Sequence, residues 1–151
     1  MRNVVLRPAR ASEQKSLEGL QWRASLSNPG DREALLAHPD AIQLPTQQIE
    51  AGLVFVAEVA GSTIGFAAIL PRAYGNTELD ALFVEPGAWR SGVGRALVER
   101  CAAEGQATGA TSLHVVGNPH AEGFYLACGF KAHGKVRTRF GVGLLLKRDL
   151  Q

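Results

Sequence analysis

Two glycines, Gly92 and Gly94, stand directly before a stretch with helical periodicity and after an apolar run that ends at Pro86. Glycine lets the backbone turn tightly and come close to a ligand, and the free N–H groups of a first helical turn attract anions, most often phosphate. Arg90 and Arg95 add positive charge on either side. The spacing therefore predicts a phosphate-binding loop over residues 90–95, and a tight strand-to-helix turn that binds nothing is the alternative.

Two well-known phosphate loops do not fit this stretch. The P-loop requires Gly-Lys-Ser/Thr, whereas Gly94 is followed by Arg95 and Ala96. The dinucleotide fingerprint requires a third Gly or Ala at position 97, which is Leu, and it opens the first strand–helix unit of a domain rather than lying mid-chain. Neither of these two phosphate loops therefore describes residues 90–95.

The glycine loop and a second block together resemble the GNAT superfamily of acetyl-CoA-dependent N-acyltransferases. The first block is the strand ending Leu-Phe-Val-Glu-Pro, followed by Gly92-x-Gly94 and an amphipathic helix. The second runs from Asn118 to Phe130 and contains Asn, Ala, Phe-Tyr and Gly-Phe in the order typical of that family. One position departs from the pattern: Trp89 stands where the family usually has Gln or Arg, so Arg90 is the candidate replacement cation.

The resemblance implies which parts of the chain bind acetyl-CoA. The pyrophosphate would lie against the glycine loop (Arg90, Ser91, Gly92, Val93, Gly94, Arg95) and the pantetheine arm along the strand end (Leu82, Phe83, Val84). That strand is expected to carry a bulge and to splay from the next parallel strand, so that its free backbone groups bond the cofactor. The N–H of Leu82 is the candidate for polarising the thioester carbonyl, and core strand without such a role is the alternative for residues 82–84. Asn118 is expected to contact the pantetheine arm, to cap the helix begun by Pro119, or both.

Tyr125 is the candidate general acid for the leaving thiolate. It follows Asn118 by seven residues, on a short helix where Phe124 can pack in the core. A phenol titrates near ~10, so at neutral pH it is protonated and can donate. The alternative is a tyrosine whose ring packs and whose hydroxyl bonds elsewhere.

Glu78 is the candidate general base, because an amine of pKa ~10.4 must lose a proton before it attacks. Strand alternation places residues 78, 80, 82 and 84 on one face if no bulge intervenes. Asp80 is the second candidate, and an ordinary solvated carboxylate is the alternative for Glu78. For the acceptor groove, the resemblance points to the first helix (Gln21, Trp22, Ser25) and to Arg137 and Arg139, which would favour an acidic acceptor unless they form a solvated hairpin rim.

Turn residues and hydrophobic periodicity predict a mixed α/β (α+β) domain over residues 1–151. Helices are predicted from Ser12, as N-cap, to about Leu26 and over residues 31–37. A strand at residues 4–7 and an antiparallel meander (53–59, 63–70, 77–84) precede the glycine-loop helix. A parallel strand (112–116), a short helix (121–128) and two last strands (130–132, 140–150) follow. The resemblance implies a GNAT-like, mostly antiparallel sheet of about seven strands, with a splayed parallel pair and helices on both faces.

Composition narrows the functional class. Hydrophobic residues make up 46% of the chain, charged residues 20%, and the net charge is +2, which predicts no general affinity for nucleic acid. No apolar run approaches the ~20 residues of a membrane span, and no secretory signal precedes the two cysteines, so a cytoplasmic protein with reduced, buried thiols is expected. His114 and His120 lack partners at metal-ligand spacing, so no metal is predicted.

The favoured function is direct transfer of the acetyl group of acetyl-CoA to a primary amine of a small molecule or a peptide. A non-catalytic acyl-CoA sensor is the alternative, which the presence of both Glu78 and Tyr125 disfavours. A toxin-type enzyme that acetylates a charged RNA is a third alternative. It would require a strongly basic face, and the net charge of +2 argues against it. The oligomeric state is open, with a homodimer as one option.

Overall fold

The computed structural model describes residues 3–150, except for the side chains of residues 29 and 30. Five α-helices are found there: α1 (Gln14–Ser27), α2 (Pro29–Ala37), α3 (Thr46–Glu50), α4 (Val93–Ala107) and α5 (Glu122–Ala127). Seven strands accompany them: β1 (Val5–Pro8), β2 (Val54–Val59), β3 (Ser62–Pro71), β4 (Asn76–Val84), β5 (Ser112–Gly117), β6 (Lys131–Thr138) and β7 (Gly141–Asp149). Residues 1, 2 and 151 of the predicted domain lie outside the described residues.

The seven strands form one sheet in the order β1-β2-β3-β4-β5-β7-β6. All neighbouring pairs are antiparallel except β4 and β5, which are parallel and joined through α4. The predicted meander, the parallel crossover and the mixed seven-stranded sheet are therefore confirmed.

Apolar side chains on both faces of the central strands hold the helices. Phe55 and Ala57 of β2 point into a cluster beneath α4, whereas Val54 and Val56 point into a second cluster with Leu17 and Leu20 of α1 and Ile49 of α3. Burial on both faces explains why these strands read as continuous apolar runs. Helices thus cover both faces, as predicted.

A β-bulge at Asp80 breaks the alternation of β4. Leu79 pairs with Ile69 and Ala81 with the adjacent Ala68, so Asp80 is the extra residue. Leu79 and Leu82 consequently pack on the α4 side, whereas Ala81 packs on the α1 side. The implied bulge is confirmed. The prediction that Glu78, Asp80 and Leu82 share one face, which assumed an unbulged strand, is wrong for Leu82.

Two local predictions are corrected. β6 continues to Thr138 instead of ending at Ala132, and its residues 131–137 are exposed, so this edge strand carries no burial pattern in the sequence. Ser12 does not cap α1. A 3₁₀ turn (Ala11–Glu13) precedes the helix, and the Arg10 N–H donates to the Glu13 carboxylate at 2.8 Å.

Within residues 3–150, no helix has the length and apolarity to cross a membrane, and no three potential ligand side chains cluster to hold a metal ion. Cys101 and Cys128 are free and buried, as predicted. Burial raises the pKa of the Cys101 thiol to about 12, so this thiol is unreactive near neutral pH.

Candidate active site

A cleft of about 1080 Å³ opens where β4 and β5 separate. The two strands pair only at residues 76–78 and 112–114, after which they splay. The cleft runs between residues 79–84 of β4 and residues 115–118 at the end of β5, and extends from the glycine loop to α1 and α2. The bulge at Asp80 lies just beyond the last pair, so the local twist it introduces helps to part the strands.

The backbone of Leu82 and Val84 points into this cleft. The N–H of Glu85 donates to the Ile64 carbonyl on β3 at 2.8 Å. Because successive residues of a strand direct their amide groups to opposite edges, the groups of Leu82 and Val84 point away from β3, toward the side from which β5 has parted. The indole N–H of Trp89 donates to the Val84 carbonyl at 2.7 Å. The Leu82 N–H therefore lies on the open edge, where it could meet a thioester carbonyl.

The glycine loop lies at one end of the cleft. Gly92 has φ of 89° and Arg90 has φ of 63°, so the chain turns twice through the left-handed region before α4 starts at Val93. Since the first N–H groups of a helix have no intrahelical acceptor, the amides of residues 93–95 are available to an anion. Arg90 and Arg95 are exposed and line the cleft. Of the other predicted residues, Val93 is buried in the core and Ser91 bonds back to the Ala88 carbonyl, so these two can contribute only backbone groups.

Packing as well as ligand binding explains why position 94 is a glycine. A Cβ at this position would lie 3.2 Å from the Phe124 ring. The glycine therefore lets α5 pack against the first turn of α4, which brings the second sequence block to the loop.

Tyr125 lies inside the cleft wall with its ring packed and its hydroxyl available. The side chain is 8% exposed and makes edge contacts with Phe124 and Phe130, at centroid distances of 5.2 and 5.5 Å. Gly117 makes room for it, because a Cβ there would lie 3.0 Å from the ring. Among the described residues, the Tyr125 hydroxyl has no hydrogen-bond partner, whereas every fully buried side-chain N or O atom has one. The hydroxyl oxygen is therefore not fully buried, and it reaches the open cleft. Burial raises its pKa, with smaller contributions from Cys128 and Asp31, and keeps the phenol protonated.

The two candidate bases differ in position. Glu78 belongs to the closed part of the strand pair and accepts two bonds from Arg72, at 3.0 and 2.8 Å, and it is not part of the cleft wall. Asp80 lines the cleft, and its pKa is raised, first by partial desolvation and then by the neighbouring Glu78 carboxylate. Gln48 contacts it at 3.5 Å and partly offsets this rise.

Asn118 joins the end of β5 to α2. Its Oδ1 accepts from the His120 N–H at 2.9 Å, which is the predicted helix cap, and its Nδ2 donates to Asp31 at 2.8 Å. Asp31 also lines the cleft and is close enough to Tyr125 to raise its pKa. Asp31 is not predicted as a site residue from the sequence, because an acidic residue in a first helical turn already has a sufficient explanation in the helix dipole.

The far end of the cleft is built by α1, α2 and the β6–β7 turn. Gln21 and Ser25 lie in its wall, as does Phe140, but Trp22 does not. Arg137 and Arg139 are also outside the wall, and Arg139 stacks on Phe140 with its guanidinium 4.8 Å from the ring centre. These positions give no support to an acidic acceptor.

The residues present fit acetyl-CoA. An open strand edge, a helix N-terminus with free amides and two exposed arginines follow one another along a single cleft. These groups match a polyamide arm followed by a pyrophosphate.

Several solved structures of similar architecture are N-acetyltransferases. A GCN5-related N-acetyltransferase from Rhodopseudomonas palustris superposes with a TM-score of 0.79 at 18% identity, over 99% of this chain and 98% of that one. The PaiA N-acetyltransferase of Thermoplasma acidophilum, in complex with coenzyme A, gives 0.77 at 15% identity, over 97% and 99%. The ribosomal-protein-S18-alanine N-acetyltransferase of Escherichia coli gives 0.72 at 18% identity, over 99% and 95%. At such identities the likeness establishes the fold.

No curated protein sequence matches the chain. The sequence model described as an acetyltransferase (GNAT) domain matches residues 50–132, which include the glycine loop and the block from Asn118 to Phe130. The match confirms the resemblance and, at the level of the family, the acyltransferase class and the acetyl-CoA cosubstrate that it implied. Because the match covers more than half of the chain, this protein belongs to the GNAT acetyltransferase family.

Proposed function

We propose that this protein transfers the acetyl group of acetyl-CoA directly to a primary amine of a small molecule or a peptide. One observation carries the proposal: the unpaired backbone edge at Leu82 and the hydroxyl of Tyr125, which has no partner among the described residues, face the same cleft, and the glycine loop lies at one end of it. Acetyl-CoA supplies the acetyl group as an activated thioester when it is bound.

Leu82 and Tyr125 act on the two thioester atoms whose charge changes during the reaction, the carbonyl oxygen and the sulfur. The Leu82 N–H is fixed by the strand, so it can polarise the carbonyl oxygen without reorganising during the reaction. The Tyr125 hydroxyl donates to the sulfur. Since a thiol of pKa near ~8.5 is a stronger acid than a buried phenol, this hydroxyl stabilises the departing thiolate chiefly as a hydrogen-bond donor, and solvent completes the protonation.

Asp80 is the better-placed general base. Its carboxylate faces the cleft, two residues before Leu82, and its raised pKa brings it closer to the value at which a base works well at neutral pH. Glu78, the first candidate from the sequence, is held by Arg72 outside the cleft, so its proposed role is to raise the pKa of Asp80.

The sensor alternative would need only the cofactor half of the cleft. A carboxylate and a phenol that both face the reaction centre favour catalysis, and the net charge of +2 still argues against a charged RNA as acceptor. A cytoplasmic location, the absence of nucleic-acid and membrane partners, and a homodimer as one option stay predictions.

Release of free thiol from acetyl-CoA in the presence of a panel of amines and peptides tests the proposal. The panel should include an N-terminal alanine peptide, because the similar E. coli structure is a ribosomal-protein-alanine N-acetyltransferase. Amine-dependent thiol release, with the acetylated amine found by mass spectrometry, is expected. Binding of acetyl-CoA with no release for any amine would leave the sensor.

A further inference from the structure

The charged side chains of the cleft wall come from different elements. Of those described, Arg90 and Arg95 belong to the glycine loop, whereas the two carboxylates, Asp31 and Asp80, belong to α2 and to the bulge of β4. No other described Arg or Lys side chain is in the wall, although Arg139 lies just outside it, 4.8 Å from the ring centre of Phe140. A cationic acceptor that binds away from the glycine loop would therefore meet carboxylates in the wall.

The two carboxylates have different surroundings. Asp80 lies two residues before Leu82 on β4, so it is placed to contact the amine that reacts. Asp31 stands on α2, where Asn118 is a neutral partner at 2.8 Å, so that contact leaves its charge in place. Tyr125 lies in the same wall, near enough to Asp31 for the carboxylate to raise the pKa of its phenol. Asp31 is therefore close to the predicted reaction centre but takes no part in the proposed chemistry.

We propose that the acceptor carries a second positive charge beside the amine that is acetylated, and that Asp31 binds this second charge. The inference rests on the proposed acetyltransferase function and narrows its acceptor to a diamine or a peptide amine next to a basic side chain. A charged donor on a carboxylate forms a stronger hydrogen bond than a neutral one, so Asp31 would offset the cost of desolvating the second charge of the acceptor. The same cleft wall contains apolar side chains, among them Leu35 and Ile42.

The test compares acceptors that differ only in the second charge. The pairs are 1,4-diaminobutane with butylamine, and Ala-Lys amide with Ala-norleucine amide, each measured as kcat/KM with saturating acetyl-CoA. For the wild type we expect a preference of about tenfold or more for the dicationic member of at least one pair, as a hydrogen bond to a charged group is worth more than a neutral one. The pair that shows it identifies the source of the charge as a diamine or a peptide.

Asp31→Asn then removes the charge and keeps the scaffold, because the carbonyl of the introduced amide can still accept from Asn118. The preference should fall to near the statistical factor of about two for a diamine, or about one for the peptides. Glu33→Gln is the matched control: it makes the same charge change on the same helix, but Glu33 is exposed and outside the cleft, so the preference should persist.

Equal rates within both pairs for the wild type would overturn the inference and leave the acetyltransferase function standing. An unchanged preference in Asp31→Asn would overturn it as well. If no amine is acetylated at all, the proposed function fails and this inference falls with it. The wild-type comparison needs no variant, so it tests the inference even if Asp31→Asn is destabilised.

Discussion

The indole N–H of Trp89 donates a hydrogen bond of 2.7 Å to the backbone carbonyl of Val84. This bond connects the start of the glycine loop to the last residue of β4. It uses one of the backbone groups that the splayed strand turns toward the cleft, and leaves those of Leu82 open. In this chain, Trp89 therefore holds the loop by a neutral bond at the position where the family usually has Gln or Arg.

Trp89→Phe should weaken acetyl-CoA binding by about two- to tenfold, the range of one lost neutral hydrogen bond. An aromatic ring is kept, so most of the surface that the 42%-exposed tryptophan offers in the cleft wall remains. Calorimetry measures the Kd, and Trp22→Phe, on α1 and outside the cleft wall, is the control. Tighter binding would mean that the cofactor competes with the indole for the Val84 carbonyl, and the positioning role would then be wrong.

Arg90→Asn should weaken acetyl-CoA binding and make it less sensitive to salt, because a positive charge at the phosphate end is lost. Asparagine tolerates the left-handed conformation that Arg90 adopts, with φ of 63°, so the loop should keep its shape. Arg90→Lys keeps the charge and should stay near the wild type. A substitution of Gly94 would not isolate the effect of charge, since any Cβ there would lie 3.2 Å from the Phe124 ring. Equal affinity for Arg90→Asn and Arg90→Lys at low salt would exclude a role for this charge.

The sequence predicts the architecture because its signals are local. Apolar runs separated by glycine turns predict the meander, and Gly92 followed by helical periodicity predicts the crossover between β4 and β5. The part of β6 beyond Ala132 is not predicted from the sequence, because an edge strand exposed on both sides needs no apolar alternation.

The site is predicted less completely, because its side chains are selected by pairing between distant segments. The bulge at Asp80 follows from its register with Ala68 and Ile69, and it is this bulge that separates Asp80 from the face of Leu82. Asp31 meets Asn118 across 87 positions of the chain. Neither relationship leaves a periodicity in the sequence.

Asp80→Asn should lower kcat far more than Glu78→Gln, because only Asp80 faces the cleft. Loss of a general base typically costs about 10²- to 10⁴-fold. For the wild type, kcat/KM should rise with pH through the pKa of Asp80, which is above the ordinary 3.8, since the carboxylate must be ionised to accept the proton. Asp80→Asn should lack this acid limb. A larger effect of Glu78→Gln would return the role to Glu78.

Glu13→Gln should lower the free energy of unfolding at pH 7 by about 1–2 kcal/mol. Arg7 bonds Glu13 at 2.8 and 2.9 Å and Glu58 at 2.7 Å, in a partly buried network that joins β1, β2 and the turn before α1. The bond from Arg7 is the main reason that the pKa of Glu13 is lowered from 4.5, so its stabilisation is present above pH 4.5 and is lost as the pH falls through the lower folded value. Denaturant unfolding should show wild type and variant converging in acid, with the exposed Glu50→Gln as the control. A constant difference at all pH values would contradict this.

Tyr125→Phe should remove turnover while leaving the fold and acetyl-CoA binding nearly intact. The ring contacts with Phe124 and Phe130 are kept, and the lost hydroxyl has no hydrogen-bond partner among the described residues, so the thermal midpoint should hardly move. Turnover should fall about 10²-fold or more, because the departing thiolate loses its donor. A fall of less than about tenfold would assign that task to water. A parallel collapse of acetyl-CoA affinity would instead make Tyr125 a binding residue. Gly117→Ala offers an independent check that keeps the hydroxyl: its methyl group would lie 3.0 Å from the Tyr125 ring and from Leu146, and activity should fall because crowding at the ring misplaces the donor.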